Sequence, residues 1–424
     1  MLQIKEIIDH PEEVIKRLAV KHFEGKEIVA KLIACDEERR AAQQKLDHML
    51  SEQKKLSREI GEKMKQGLRE EAEVLKNSVQ AMKDEIQHLD ETKCAKEAEV
   101  REMLLNIPNL PHASVPLGNG AEDNEVVATG GELPKLASDN KLPHWELAKK
   151  YGLIDFELGV KISGAGFPVY TGRGARLQRA LINFFLESAI ESGFNEVEPP
   201  YVVNEDSGYG TGQLPDKEGQ MYHVGLDNLY LIPTAEVPVT NIYRDVILDE
   251  KDLPIRNVAY SACFRREAGS YGKDVRGLNR LHQFNKVEIV CIERPEESYA
   301  TLDKMVHYVQ SLVEKLGLPW RILRLCGGDI SFTSALTFDF EVFSAAQERW
   351  LEVSSVSNFE SYQANRMMCR YRDANNKITL CHTLNGSALA LPRIVAALLE
   401  NNQTPEGIVV PEVLRPYTKF DIIK

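Results

Sequence analysis

The stretch that decides the fold is Tyr260-Ser261-Ala262-Cys263-Phe264-Arg265-Arg266-Glu267. A glycine-bearing segment follows at residues 268–277, and a second run, Gln-Phe-Asn-Lys-Val-Glu-Ile-Val, occupies residues 283–290. Two runs rich in aromatic and β-branched side chains around such a segment predict a β-hairpin. Because side chains alternate between the faces of a strand, Arg265 and Glu267 are expected to project from one face and the arginine between them from the other.

The Arg-x-Glu pair in this hairpin has the chemistry of a nucleotide site. The guanidinium of Arg265 suits a phosphate, and the carboxylate of Glu267 can accept a hydrogen bond from an exocyclic amine. The return strand is expected to present Phe284, Lys286 and Glu288 on one face, which adds an aromatic surface for a base and a carboxylate for an ammonium group. Taken alone, the hairpin is more typical of an ion pair across two surface strands.

A second informative segment is the run HTLNGSALALPRIVAALLE at residues 382–400. Its strand-like opening passes through Gly386 into an apolar helix. Arg393 is a fixed cation near the start of that helix, where burial without an anion would be costly. The pattern is compatible with a phosphate partner for Arg393, and equally with a paired arginine in the core or at an interface.

The first hundred residues carry a helical pattern. Pro11 follows Asp9 and His10 at the start of a helix within a short helical segment at residues 1–25. Apolar or small side chains then recur at heptad spacing in two series, residues 28–60 and 68–100, and Gly67 between them can take the positive φ that ends a helix. The pattern predicts an antiparallel coiled-coil hairpin over about residues 27–105, roughly 55 Å long at about 1.5 Å of rise per residue.

The Pro- and Asn-rich segment at residues 106–111 ends the second helix and sets a domain boundary, which gives domains at residues 1–107 and 108–424. Beyond it, helical stretches mix with short strand-like runs at residues 197–203, 229–232, 257–264, 284–292 and 350–353. The expected fold class is α+β: a long N-terminal helical arm, then a domain with an antiparallel β-sheet flanked by helices.

Composition bounds the functions that the 424-residue chain can have. Its net charge of -12 argues against a general nucleic-acid binder, although a local basic surface can still hold RNA. The seven cysteines form no CxxC pair and no Cys/His cluster of zinc-ligand spacing, so we expect reduced thiols and no zinc. Neither a signal peptide nor an apolar run of about 18 residues is present, which predicts a cytoplasmic protein without a membrane segment.

Three segments in this order resemble the class II aminoacyl-tRNA synthetases: a helix and strand that end in prolines at residues 176–201, the Arg-x-Glu hairpin, and the Gly386-to-Arg393 strand and helix. Within that class the chain is similar to the seryl-tRNA synthetases at YGTGQLP (residues 209–215), PTAEVP (233–238), FRREAG (264–269), HQFNKVE (282–288), EVSS (352–355) and LNGS (384–387). The resemblance covers the whole chain, because an N-terminal helical hairpin is the tRNA-binding arm of that family.

The resemblance implies a serine--tRNA ligase. Such an enzyme activates L-serine with ATP to seryl-adenylate and transfers the seryl group to the 3′ end of serine tRNA. The sequence leaves open whether selenocysteine tRNA is a second acceptor. The alternative is a non-catalytic synthetase paralogue that acts as an RNA- or protein-binding module.

The resemblance also implies the roles of individual residues. The serine pocket comprises Thr234, Ala235, Glu236, Glu288 and Ser387. In the ATP site, Arg265 contacts the α-phosphate and Arg393 the γ-phosphate. Glu267 binds the adenine amino group, and Phe284 lies against the adenine ring. The other residues of this site are Arg266, Glu352, Val353, Ser354 and Ser355. Arg265 and Arg393 are the expected catalytic residues, Glu352 and Ser355 the expected Mg²⁺ ligands, and Arg266 the dispensable arginine.

Two departures from the family pattern lie in the last motif, where Ala388 and Pro392 replace familiar glycines. Neither removes a side chain that binds a ligand, and Pro392 suits the first turn of a helix. Ala388 affects how closely the backbone approaches ATP. The property that these departures put in doubt is therefore the affinity for the nucleotide.

The helical arm carries a basic cluster near its tip, formed by Lys54, Lys55, Arg58, Lys63, Lys65 and Arg69. A helical hairpin by itself is more often a dimerisation or scaffold element. The resemblance implies instead that the arm clasps serine tRNA through its shape and phosphates. It also implies a homodimer formed through residues 176–201.

Overall fold

The chain divides into two units in the computed structural model, which describes residues 1–136, 141–267 and 276–424. One unit is Leu2–Pro108, and the other is Asn109–Lys424 together with Met1. Most of the segment predicted at residues 268–277 lies outside the described residues.

The first unit is helical. Its helices are α1 (Ile4–Asp9), α2 (Pro11–Val20), α3 (Gly25–Lys65) and α4 (Arg69–Leu105). Pro11 is the first residue of α2, as predicted, because a helix leaves its first N–H groups unpaired and proline has none. Gly67, with φ 77°, lies between the two long helices. These helices have 41 and 37 residues, which corresponds to about 60 Å at 1.5 Å per residue.

The two long helices pack as an antiparallel pair, which confirms the predicted coiled-coil hairpin. The thiol of Cys35 lies 3.9 Å from the carbonyl oxygen of Lys96, and Lys96 pairs with Glu38 at 2.8 Å. Near the turn, Lys63 pairs with Glu71. The seam is buried at Val29, Leu32, Cys35, Ala42, Leu46, Ala72, Val100 and Leu104.

The second unit mixes helices and strands. Its helices are α5 (His144–Lys150), α6 (Phe156–Ile162), α7 (Gly172–Glu191), α8 (Glu205–Thr211), α9 (Glu236–Asn241), α10 (Ser298–Lys315), α11 (Tyr362–Met367), α12 (Leu391–Asn401) and α13 (Arg415–Thr418). Its strands are β1 (Glu125–Gly130), β2 (Ile154–Asp155), β3 (Val169–Tyr170), β4 (Asn195–Glu196), β5 (Val202–Asn204), β6 (His223–Val224), β7 (Leu229–Leu231), β8 (Ile247–Asp249), β9 (Ile255–Phe264), β10 (Gln283–Glu293), β11 (Trp320–Arg324), β12 (Leu336–Ser344), β13 (Arg349–Asn358), β14 (Arg370–Arg372), β15 (Ile378–Leu380), β16 (His382–Ala390), β17 (Gln403–Thr404), β18 (Gly407–Val409) and β19 (Ile422–Ile423).

The main sheet has the strand order β1-β11-β12-β13-β16-β10-β9-β4. Its neighbouring strands are antiparallel except at one edge, where β4 runs parallel to β9 with Asn195 opposite Asn257. The strand predicted at residues 197–203 is wrong for most of its length, because β4 ends at Glu196 and β5 begins at Val202. Pro199 and Pro200 lie between them and lack the N–H groups that a continuous ladder requires.

The centre of the sheet brings the two chemically informative segments together. Strand β10 pairs with β9 on one side and with β16 on the other, and Glu288 lies opposite Ser387 in the second pair. Gly386 lies opposite Val356 of β13, and a Cβ atom at this glycine would be 3.0 Å from a methyl group of Val356. Close approach of the strands therefore favours glycine at this position.

The predicted state of the cysteines agrees with the structure. All seven are free thiols, and all but Cys94 are buried. Among the described residues, no helix combines the length and the apolar character that a membrane crossing requires.

Candidate active site

Strand β10 and the start of helix α9 bring most of the predicted serine pocket together. Thr234, Glu236, Glu288 and Ser387 are all at most 8% exposed. The hydroxyl of Ser387 donates to Glu288 over 3.5 Å. Ala235 is fully buried between Thr234 and Glu236. The cluster is thus a buried polar site at the middle of the sheet.

Lys286 completes this cluster. Its ammonium group pairs with the carboxylate of Glu288 and donates to the hydroxyl of Thr234 over 2.9 Å. The strand alternation that predicted Phe284, Lys286 and Glu288 on one face placed this lysine correctly. The motifs in the sequence indicated no role for Lys286, although a buried lysine next to a buried glutamate is an expected ion pair.

Glu236 is held by a chain of hydrogen bonds that the sequence did not indicate. The amide of Gln363 donates to the Glu236 carboxylate over 2.7 Å, and the hydroxyl of Thr383 donates to the Gln363 carbonyl over 2.6 Å. Burial, followed by the negative charge of Glu288, raises the pKa of Glu236 from 4.5 to about 7. The bond from Gln363 and the charge of Lys286 act against this rise.

Thr234 also contacts the start of helix α9. The hydroxyl of Thr234 accepts a hydrogen bond from the backbone N–H of Glu236 over 3.2 Å, as a residue at a helix start does. The Thr234 hydroxyl therefore accepts hydrogen bonds both from the backbone of Glu236 and from Lys286.

Arg265 and Phe284 meet at the end of the β9–β10 hairpin. The guanidinium carbon of Arg265 lies 5.2 Å from the centre of the Phe284 ring, and its Nε donates to the carbonyl of Pro233 over 3.3 Å. A cation above an aromatic face leaves the guanidinium edge free for an anion and the ring in reach of a base.

The prediction that Arg265 and Glu267 share a face through strand alternation is wrong for Glu267. Strand β9 ends at Phe264, and Glu267 has φ 50°, in the left-handed region. Its carboxylate pairs with Arg280. Because the chain has left the extended conformation, the two-residue period no longer sets the direction of this side chain.

Arg266 contacts a different set of residues. Its backbone N–H donates to the carbonyl of Gln220 over 2.8 Å, and its guanidinium lies 5.8 Å from the centre of the Tyr222 ring. The two consecutive arginines therefore have separate surroundings.

Arg393 lies in the first turn of α12, where Pro392 also fits as predicted. Its Nε donates to the carbonyl of Asn279 over 3.1 Å. Its Nη1 donates to the carbonyl of Glu352 over 2.8 Å and reaches the carboxylate of the same residue at 3.5 Å. The arginine is thus partnered and part-exposed, with its cation beside a half-exposed carboxylate.

The stretch at residues 352–355 presents the side chains of Glu352 and Ser355 and buries the two residues between them. The Glu352 side chain is 49% exposed. The hydroxyl of Ser355 donates to the carboxylate of Asp339, a residue that the sequence analysis missed. Val353 and Ser354 are buried, and the hydroxyl of Ser354 donates to the carbonyl of Ser387. Val353 and Ser354 are at most 2% exposed as whole residues, backbone included.

The oxygen donors around Glu352 fit a hard divalent cation. Carboxylate and hydroxyl oxygens are ligands that Mg²⁺ accepts, and Mg²⁺ typically takes one or two carboxylates and fills its shell with water and phosphate oxygens. Burial and then the charge of Glu352 raise the pKa of Asp339 well above its usual range. Among the residues that the structure describes, no group of three or more His, Cys, Asp and Glu side chains has the arrangement of a metal site.

The basic cluster of the arm lies on both sides of the turn at Gly67. Lys54, Lys55, Arg58, Lys65 and Arg69 are exposed. Lys63 is part-buried and pairs with Glu71. Five cations at the tip of the helical unit are therefore accessible to a polyanion.

Two family models match the chain. The seryl-tRNA synthetase N-terminal domain matches residues 1–111, and the tRNA synthetase class II core domain (G, H, P, S and T) matches residues 222–402. Serine--tRNA ligase from Salinibacter ruber is 52% identical over 99% of this chain and 98% of its own length. The enzyme of the same name from Akkermansia muciniphila is 46% identical over 100% of this chain and 99% of its own length.

Solved structures agree with these matches. The seryl-tRNA synthetase from Pyrococcus horikoshii complexed with ATP has a TM-score of 0.90 at 33% identity, over 100% of this chain and 99% of that chain. The cytoplasmic serine-tRNA ligase from Naegleria fowleri in complex with AMP has a TM-score of 0.88 at 28% identity, with the same coverage. On sequence and fold together, the chain belongs to the seryl-tRNA synthetase family of class II aminoacyl-tRNA synthetases.

Proposed function

We propose that this chain is a serine--tRNA ligase, which activates serine with ATP and transfers the seryl group to serine tRNA. Full-length relatives with this activity in their names support the proposal. The observation that carries it is the buried cluster of Thr234, Glu236, Glu288 and Ser387 beside the β9–β10 hairpin, at whose end Arg265 and Phe284 meet. An amino-acid site and a nucleotide site then share one β-hairpin.

In the first step a carboxylate oxygen of serine attacks the α-phosphorus of ATP. A new O–P bond forms, the bond from the α-phosphorus to the bridging oxygen breaks, and pyrophosphate leaves with that electron pair. Arg265 is proposed to stabilise the charge on the α-phosphate, and Arg393 that on the γ-phosphate. Because both guanidiniums already make backbone contacts at 3.3 and 3.1 Å, little reorganisation is needed when ATP binds.

The serine pocket selects its substrate by charge and by hydrogen bonds. Glu236 and Glu288 are proposed to receive the ammonium group, while Thr234 and Ser387 supply hydroxyl groups at the same place. Alanine would leave buried polar groups unpaired, so a pocket of this kind discriminates strongly against it. Ala235 provides a small buried wall between Thr234 and Glu236.

The adenine end of ATP is proposed to stack on Phe284 and to reach Glu267. Stacking is supported by the position of the Phe284 ring beside Arg265. Arg266 has other contacts, at Gln220 and Tyr222, and is proposed to be dispensable.

Glu352 and Ser355 are proposed to hold Mg²⁺ with ATP. When bound, Mg²⁺ neutralises charge on the phosphates. The fit of an oxygen-only donor set supports this assignment. Arg393, which contacts Glu352, would then lie on the phosphate side of the same site.

In the second step a terminal ribose hydroxyl of the tRNA attacks the carbonyl carbon of seryl-adenylate, and AMP leaves. Domain 1–107 is proposed to bind the tRNA through the exposed basic cluster at its tip, while domain 108–424 carries out the chemistry. A homodimer through residues 176–201 and a cytoplasmic location are parts of the same proposal. Selenocysteine tRNA is a further acceptor to test.

Charging of total tRNA with each amino acid in turn tests substrate and activity together. Incorporation of serine alone is the expected result. Binding of tRNA without charging by any amino acid would favour the second candidate, a non-catalytic RNA-binding paralogue. The presence of Arg265, Glu267, Glu352 and Arg393 favours the enzyme.

A further inference from the structure

A buried polar network lies two turns beyond Arg393 on helix α12. Its centre is Glu400, which is 0% exposed. The carboxylate accepts hydrogen bonds from the backbone N–H of His144 over 2.9 Å, from Nδ1 of His144 over 2.8 Å, from the amide of Gln347 over 3.0 Å, and from the hydroxyl of Ser344. Burial acts to raise the pKa of Glu400, but the bonds from His144 and Ser344 outweigh it and lower this pKa.

The network reaches the segment that precedes strand β10. Nε2 of His144 accepts a hydrogen bond from the backbone N–H of Leu278 over 2.8 Å. This bond leaves the ring proton on Nδ1, where it faces Glu400. The carbonyl of Gln347 accepts from the amide of Asn279 over 2.9 Å. Two adjacent residues are thus held by side chains that both end on Glu400.

The fit between this segment and His144 is close. Gly277 has φ 69°, and a Cβ atom there would lie 2.2 Å from Nε2 of His144. The backbone therefore approaches the ring more closely than any residue with a side chain permits. This close contact fixes the position of residues 277–279. None of the residues proposed for catalysis or for the serine pocket takes part in it.

The same segment seats Arg393. The carbonyl of Asn279 accepts the hydrogen bond from Nε of Arg393 over 3.1 Å. Arg393 and Glu400 are seven residues apart, which is about two helical turns, so both side chains leave α12 on the same face. Arg393 thus contacts Asn279, Asn279 contacts Gln347, and the neighbouring Leu278 contacts His144. Gln347 and His144 both return to α12 at Glu400.

We propose that His144, Gln347 and Glu400 are positioning residues, which hold residues 277–279 against α12 and so orient the guanidinium of Arg393 for the polyphosphate end of ATP. The inference rests on the proposed function of Arg393. Its physical basis is preorganisation: a long side chain that is already oriented loses less conformational freedom when its ligand binds. The role of the network is therefore in ATP affinity and not in the binding of serine.

The test is Gln347→Leu, assayed by ATP–pyrophosphate exchange. Gln347 is part-buried, and the variant keeps the His144–Glu400 contact, so the fold is expected to be retained. The expected result is a rise of about tenfold in the KM for ATP, since the loss of one buried hydrogen-bond partner corresponds to roughly that change in an equilibrium constant. The KM for serine should stay within about twofold. Glu348→Gln is the matched control, because Glu348 is the next residue, is exposed, and pairs with Lys141.

A double-mutant cycle separates positioning from a general structural role. If Gln347 acts through Arg393, adding Gln347→Leu to Arg393→Ala raises the KM for ATP no further, whereas a structural effect adds. A wild-type KM in Gln347→Leu, or an additive double variant, overturns the inference. His144→Asn provides a second route into the network and should shift the same parameter.

The same variants separate the proposed role of Arg393 from that of the positioning residues. If Arg393→Ala by itself leaves the KM for ATP unchanged, the proposed role of Arg393 fails. If Arg393→Ala raises this KM while Gln347→Leu and His144→Asn do not, the role of Arg393 stands and only the positioning network is refuted.

Discussion

Glu236→Gln removes a buried carboxylate of the proposed serine pocket whose pKa is raised. The Glu236 side chain is 8% exposed, and burial together with the charge of Glu288 raises its pKa from 4.5 to about 7. A glutamine at this position can still accept the hydrogen bond that Gln363 donates over 2.7 Å. The substitution therefore changes the charge with little change in shape.

The raised pKa makes the stability of the protein depend on pH in a defined direction. Between pH 4.5 and about 7 the group is protonated in the folded chain and ionised in the unfolded chain. Its contribution to the free energy of unfolding is thus fully present below pH 4.5 and is lost as the pH rises to about 7. Each unit of pKa shift corresponds to about 1.4 kcal/mol, so the free energy of unfolding falls by roughly 3 kcal/mol in total. Roughly 2 to 3 kcal/mol of this fall occurs between pH 5 and pH 8.

Thermal unfolding of the wild type and the variant at pH 5 and pH 8 measures this loss. As the pH rises, the Tm of the variant should increase relative to that of the wild type by a few degrees. A change of 1 kcal/mol in the free energy of unfolding corresponds to about 2 to 4 °C in a domain of 150–250 residues, and to less in a larger one. Comparison within each pH cancels the titration of groups that both proteins share. A difference in Tm that is the same at pH 5 and pH 8 would refute the assignment of a raised pKa to Glu236.

Serine binding supplies an independent measure of the same charge. If the ionised carboxylate receives the ammonium group, the KM of the wild type for serine should fall as the pH rises towards 7, by up to about tenfold per pH unit. The variant should bind serine weakly and without this dependence. Glu157→Gln, at an exposed position in α6, is the control and should follow the wild type in both assays.

Other substitutions test the remaining parts of the proposal. Arg265→Ala should lower serine-dependent pyrophosphate exchange by at least about 10²-fold, whereas exchange by Arg266→Ala should stay within a few-fold of the wild type. Near-normal exchange by Arg265→Ala would exclude Arg265 from the site. Glu352→Gln should raise the Mg²⁺ concentration at half-maximal exchange, and an unchanged Mg²⁺ titration would exclude Glu352 as a ligand. Deletion of residues 30–100 should spare pyrophosphate exchange and abolish tRNA charging, while equal loss of both activities would argue against a modular arm.

The sequence by itself determined the elements whose signal is local. Heptad spacing and Gly67 predicted helices α3 and α4, and the run of alternating side chains predicted strands β9 and β10. The motifs that resemble the synthetase family predicted the activity from residue types and their order alone. These features are readable because helices and strands place side chains with fixed periods, and because a motif names the residue types that a reaction requires.

Only the tertiary structure decided the contacts between distant segments. Glu236 meets Gln363 across 127 residues, and His144 meets Glu400 across 256. The direction of Glu267 and the parallel pairing of β4 with β9 also escaped the local pattern. The physical reason is that strand order and the close packing of α12 select these partners, and neither has a period in the sequence. Sequence therefore predicted which residues take part in the chemistry, while packing fixed the partners that orient them.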